Sequence, residues 1–156
     1  VRQLGRETNV DVFSAVSSVG THDGLMLGKA LFGLDNWRMV GVPVSDSLES
    51  SEKVLRGLTR QTIEEFRLPL KADDLPLDLL AGFIGPGYAI PTPEGLEATR
   101  LAARSEGLLL DPTYTSKAFA GFVHSIRTGY ARKDAVPVFI HTGGVFGLMA
   151  RRDLFA

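Results

Sequence analysis

The chain has 156 residues, enough for one domain with a real core and too few for two ordinary ones. Its 18 acidic and 17 basic residues nearly balance, which argues against nucleic acid or an anionic membrane surface as partner. Cysteine is absent and the three histidines are scattered, so disulfides, thiolate metal sites and a cysteine nucleophile are excluded and no metal-ligand spacing remains.

No apolar stretch approaches the roughly 20 residues that a membrane span needs. No signal peptide precedes the first strand, so a soluble, cytoplasmic protein is expected. The opening VRQLGRETNVDV lacks an initiator methionine and reads as the tail of a helix. A fragment, or a chain whose beginning lies elsewhere, is the expectation.

In chain order, Val10 to Val16 is a short apolar run rich in β-branched residues, as in a buried parallel strand. VSSVGTHDG, residues 16–24, then stops on two serines, turns on glycine and enters a helix through threonine. That helix is predicted over 21–34, with Gly24 and Gly28 allowing close packing. Arg38 to Val44 reads as the second strand. Ser47 then caps a helix carrying Leu55, Leu58, Thr62 and Phe66 on one face.

After a proline-bearing loop over 68–76, Leu79 to Ile84 is predicted as a strand, followed by the irregular GPGYAIPTPEG. Thr92 as cap, Pro93 at the first helical position and Gly107 past the end frame a helix. Phe119, Phe122, Val123 and Ile126 form the apolar stripe of the next, which Gly129 ends. VPVFIH, 136–141, is a clear strand, and TGGVFGLMA turns on glycines into a last helix. Strands separated by helices give an α/β fold of one domain: a three-layer, mainly parallel sheet with helices on both faces.

In open parallel sheets, ligands bind outside the carboxyl ends of the strands. Three glycine-bearing junctions fall at such ends: SSVGTH, GPGYAIPTPEG and HTGG. In the first, Ser17, Ser18 and Thr21 offer hydroxyls, and the amides from Val19 to His22 sit at a helix N-terminus that favours an anion. An ordinary strand-to-helix turn has the same composition. Tyr88 and Tyr114 lie in polar loops, where a phenol can relay protons or simply anchor the loop. Thr142 either faces a ligand or caps the following helix. His141 reads as a satisfied strand-end residue, His22 as a solvated first-turn residue and His124 as an ordinary helix-face residue.

Taken in order, SSVGTHDGLMLG, VGVPVS, GPGYAIPTPEGLEATRLAARSEGLLLDPTYTSKAFAG and VFIHTGG resemble the C-terminal half of the D-cysteine desulfhydrase and 1-aminocyclopropane-1-carboxylate deaminase family. These are fold type II, tryptophan-synthase-β-like enzymes that use pyridoxal phosphate. The resemblance implies that Ser18, Val19, Gly20 and Thr21 hold the cofactor phosphate, and that Thr142 and Gly143 border the cofactor. Val19 stands where the family usually has glycine, and Asp23 brings a negative charge near the phosphate. Tyr88 and Tyr114 match the two tyrosines that face the substrate. Thr115 and Thr142 follow the desulfhydrase pattern, whereas the deaminase carries glutamate and leucine at these places.

The implied activity is β-elimination from D-cysteine, giving pyruvate, ammonia and sulfide. A deaminase, a cysteate lyase and a non-catalytic anion-binding remnant are the alternatives. The implied partners are a small amino-acid substrate, a second copy in a homodimer, and the N-terminal half with the small domain and the Schiff-base lysine. In the family that lysine lies in an asparagine-lysine-x-arginine stretch. None of the five lysines here, Lys29, Lys53, Lys71, Lys117 and Lys133, has that context.

Overall fold

The structure is a computed structural model and describes residues 4, 5 and 7–155. The helix tail expected at the start falls on residues 1–9, of which 1–3 and 6 lie outside the described residues; the rest of that stretch is turn and coil. From there the elements are β1 (Val10–Val16), α1 (Gly20–Leu31), β2 (Trp37–Pro43), α2 (Leu48–Glu65), β3 (Asp78–Leu79), α3 (Pro93–Glu106), α4 (Thr115–Thr128), β4 (Val136–Phe139) and α5 (Val145–Met149). Short 3-10 turns occupy Ala72–Asp74 and Arg152–Phe155.

The four strands form one sheet in the order β3-β2-β1-β4, and every pairing is parallel. Crossovers through helices make this arrangement possible, and β1 consequently has a neighbour on each side and a layer on each face. Its side chains alternate accordingly. Val10, Val12 and Val16 join Val19, Met26, Met39 and Leu55 in a core beneath α1 and α2. Phe13 joins Val40, Val42, Val44 and Ala118 on the opposite face, beneath α4. There Phe122 meets Phe13 edge-on at 5.3 Å between centroids, and Phe119 meets Phe139 at 5.0 Å. The expected three-layer architecture is the observed one.

Helix ends follow the local chemistry. Ser47 accepts the Ser50 amide at 3.2 Å, Thr92 accepts the Gly95 amide at 3.0 Å with Pro93 following, and Gly107 and Gly129 close α3 and α4 in left-handed backbone. Three sequence-based expectations need correction. The predicted strand over 79–84 shrinks to Asp78–Leu79, because Leu80 N–H makes a last bond to Gly41 O at 2.8 Å and Gly82 then turns the chain at φ 103°. Phe66 and Ile126 are 70% and 48% exposed: Phe66 sits past the last turn of α2, and Ile126 lies on the outer side of α4. Instead α4 buries Ser116, Lys117, Ala120, Gly121 and Ser125: α3 packs on it with Gly95 against Ser116, Lys117 reaches the 84–87 loop, and Gly121 lies against Val42 of β2 and Phe83.

The amino edge of the sheet is closed by charge. Buried Asp11 takes the Arg132 guanidinium at 2.7 Å and the Arg132 amide at 2.8 Å, with Arg38 at 3.6 Å. Arg38 in turn pairs with Asp78 at 2.5 Å and lies over the Tyr130 ring. These groups link β1, β2, β3 and the connection before β4. No described helix is long and apolar enough to cross a membrane, and no described cluster of acids and histidines is arranged for a metal.

His22, in the first turn of α1, is fully buried rather than solvated as expected. Its Nδ1 lies 2.9 Å from Ser14 Oγ, its Nε2 has no partner, and it fills space left by the absent side chain of Gly41. Burial, opposed weakly by the Asp78 charge, holds its pKa down at about 4. The unfolded chain takes up this proton near the ordinary value of 6.5, so as pH falls from there toward 4 the unfolded state gains a proton that the folded state refuses. The native state should therefore lose about 3 kcal/mol over that window relative to a His22→Gln variant. Urea unfolding midpoints measured at neutral pH and near pH 4 check this; equal losses in the two proteins would contradict it.

Candidate functional site

All four carboxyl strand ends point to one edge, and the turn after β1 is the most constrained segment there. Val19 is the N-cap of α1, held in left-handed backbone at φ 58° with no side-chain cap bond. Gly20 N–H closes back on Ser18 O at 2.8 Å. The amides of Thr21 and His22 belong to the first helical turn and have no acceptor within the helix. Positive φ is an outlier for a β-branched residue, and it is held here because the Val19 side chain, 4% exposed, is embedded in the core under α1.

A cavity of about 220 Å³ opens at this turn, lined by Ala15, Ser17, Ser18, Val19, Thr21, Tyr114 and Thr142. Five of the nine predicted site residues, Ser18, Val19, Thr21, Tyr114 and Thr142, thus meet on one surface, and Gly20 lies in the same turn. Tyr88 joins through its hydroxyl, which is hydrogen-bonded to that of Tyr114 with the rings 5.9 Å apart. The bond to Tyr88 and, after it, burial and the nearby Tyr88 and Asp111 push the Tyr114 phenol up to about 12. Ser45, in the turn after β2, lies 3.0 Å from Ser17 Oγ and 2.6 Å from Asp46.

Thr115 and Gly143 do not line the cavity. Thr115 is buried, with its hydroxyl donating to Asp111 Oδ1 at 2.8 Å and accepting the Asp111 amide at 2.9 Å. Gly143 N–H donates to His141 Nδ1 at 3.0 Å, and His141 Nε2 lies 2.9 Å from Leu109 O, so this histidine is satisfied on both ring nitrogens. Asp23, expected near the phosphate, instead turns away. Its buried carboxylate accepts the hydroxyls of Thr59 at 2.6 Å and Thr62 at 3.2 Å between α1 and α2. His124 is exposed and makes an edge contact with Phe83.

Sequence reasoning missed Asp111. Its buried carboxylate accepts the amides of Thr113, Tyr114 and Thr115, each at 2.8 Å, and so seats Tyr114 at the start of α4. It also packs under the glycine pair of HTGG: a Cβ at Gly144 would fall 2.6 Å from Asp111 Cβ and Cγ, and Gly144 has φ 97°. One carboxylate thus places both Tyr114 and the 142–144 turn. The signal was present as aspartate followed by proline ahead of an apolar helix.

The donor set suits a phosphate. Serine and threonine hydroxyls and first-turn amides surround the cavity, and no acid lines it. None of the five lysines lines it either: Lys29 borders a separate cavity at the amino edge, and Lys117 is bonded elsewhere. Exchange of Val19 separates the two effects acting on the turn. Val19→Ala removes core contact and keeps the strain, whereas Val19→Gly removes both. Val19→Gly should therefore be the more stable variant by about 1 kcal/mol in denaturant unfolding. An alanine variant that is the more stable of the two would show that the turn carries no strain.

A crystal structure of an ACC deaminase homologue superposes with a TM-score of 0.82 at 29% sequence identity, covering 96% of this chain and 44% of the other. The chain therefore spans less than half the length of that relative. Residues 1–143 match the family of pyridoxal-phosphate-dependent enzymes, whose cofactor is pyridoxal phosphate, and the chain belongs to that family.

Proposed function

We propose that this chain is the phosphate-binding and substrate-facing part of a pyridoxal-phosphate-dependent lyase of the D-cysteine desulfhydrase type. The Schiff-base lysine comes, on this reading, from polypeptide outside these 156 residues. The observation that carries it is the single cavity joining the Ser18–Thr21 turn to Tyr114 and Thr142, with Tyr88 on Tyr114.

Ser18, Thr21 and the amides of the first turn of α1 hold the phosphate. Thr142 presents a neutral hydroxyl to the same space. The chemistry supplied by the cofactor when bound is electron withdrawal from the substrate α-carbon. Tyr114, held up at about 12, keeps its proton at neutral pH, so it serves as a hydrogen-bond donor or acid and not as a base. In β-elimination that proton goes to the departing sulfur. Tyr88, bonded to Tyr114 and 57% exposed, connects it to solvent.

The ACC deaminase homologue among the similar structures supports the deaminase as a second reading. Thr142 favours the desulfhydrase, since the deaminase pattern has leucine there. Thr115 bears on the choice less directly, because a glutamate there would meet the buried Asp111 carboxylate and disturb the cap of α4.

When the remainder of the enzyme with its lysine is supplied, the assembly should release sulfide and pyruvate from D-cysteine, and the 156-residue chain alone should release neither. Tyr114→Phe should lower kcat more than it raises KM. Thr142→Leu should cut sulfide release and raise opening of the aminocyclopropane ring. Steady-state assays with both substrates decide: an assembly that opens the ring and leaves D-cysteine untouched reverses the assignment, and turnover by the chain alone removes the need for a second segment.

A further inference from the structure

The segment over 80–91 brings Tyr88 to the rim with little regular backbone of its own. Beyond the Leu80 bond to the sheet, its internal backbone bond is Ile90 N–H to Gly87 O, at 3.4 Å. Its anchor comes from α4. Lys117 is fully buried, and its ammonium donates to Ile84 O at 2.6 Å and to Gly87 O at 2.9 Å. None of the ion pairs among the described residues includes it. A buried ammonium without a counter-charge is unfavourable, and burial lowers its pKa.

The two carbonyls it holds bracket Gly85 and Pro86, and the second belongs to the residue just before Tyr88. The same turn is seated on the cap of α3, where a Cβ at Gly85 would fall 2.2 Å from Thr92 Cγ2. With its side chain 57% exposed, Tyr88 receives little guidance from packing around the ring. The backbone beneath it decides where the hydroxyl lies, and it lies on Tyr114.

We propose that Lys117 is a positioning residue: by gripping the carbonyls of Ile84 and Gly87 it sets the turn so that the Tyr88 hydroxyl meets that of Tyr114. Its importance to turnover rests on reading the two tyrosines as the proton-transfer pair; its grip on the turn does not. An ammonium suits this task because it offers donors in several directions and no acceptor.

The test is an NMR measurement, at neutral pH, of ring-to-ring NOEs between Tyr88 and Tyr114 in the ring-labelled 156-residue chain, with assignments from Tyr88→Phe and Tyr114→Phe. Lys117→Met keeps the stem and removes the donors. In the folded variant the NOEs between the Tyr88 and Tyr114 rings, which lie 5.9 Å apart in the native chain, should be lost. NOEs of unchanged strength overturn the proposal. Should Lys117→Met not fold, the wild-type chain decides through its lysine ammonium signals. Lys117 should give one protected from solvent exchange, and rapid exchange there overturns the proposal. In the assembled enzyme, Lys117→Met should lower kcat about as much as Tyr88→Phe, and the double variant should be no slower than either. Multiplying losses would mean that Lys117 acts by another route. An assembly inactive on D-cysteine refutes the functional reading and leaves the ring-to-ring NOEs to judge Lys117.

Discussion

Because all four strands run parallel, every strand-to-helix turn that carries a site residue is delivered to the same edge of the sheet. The turn after β1 leaves from the most enclosed position in the molecule, between β2 and β4 and under helices on both faces. That enclosure lets Val19 stay in left-handed backbone: the strain at φ 58° is offset by the side chain's place in the core. The first-turn amides of α1 then face the rim, where Tyr114 and Thr142 arrive from α4 and from the turn after β4. The opposite edge is fastened by Asp11, Arg132, Arg38 and Asp78, so the two ends of the sheet differ in kind, one closed by ion pairs and one open for a ligand.

The site is held by buried polar groups more than by apolar packing. Asp111 collects three amides and a hydroxyl and sits against the backbone of Gly144, which ties the start of α4 to the last glycine turn. Lys117, in the first turn of α4, works on the opposite loop, bonding Ile84 and Gly87. Each is hydrogen-bonded at its charged atoms, which lets a buried polar group order the backbone around it. Asp23 does the same between α1 and α2 through Thr59 and Thr62.

Much of the architecture was legible because it rests on local chemistry. The β-branched run of β1, the Ser47 and Thr92 caps and the glycines closing α3 and α4 each act within a few residues of where they stand. The turn after β1 was legible for the same reason. What escaped depends on distant partners. Leu79 to Ile84 has strand composition, but Gly82 turns it away from β2 after two paired residues. The stripe expected on α4 missed its buried small and polar residues, because their neighbours are distant in sequence: Gly95 of α3 for Ser116, and Val42 with Phe83 for Gly121. Asp23 and His22 were misplaced since a helical position does not say which neighbour a side chain meets: one turns to α2 and the other to Gly41 and Ser14.

The central claim is that the turn after β1 and its rim partners form a phosphate cradle. It is tested most directly by following backbone amide signals of the 156-residue chain while inorganic phosphate, and then pyridoxal phosphate, is added at constant ionic strength. Saturable shifts are expected, centred on the amides of Val19 to His22, extending to Thr142 and Tyr114, and lost in Thr21→Val combined with Ser18→Ala. Shifts centred on the amino edge around Arg38 and Arg132, or none that saturate, would contradict it.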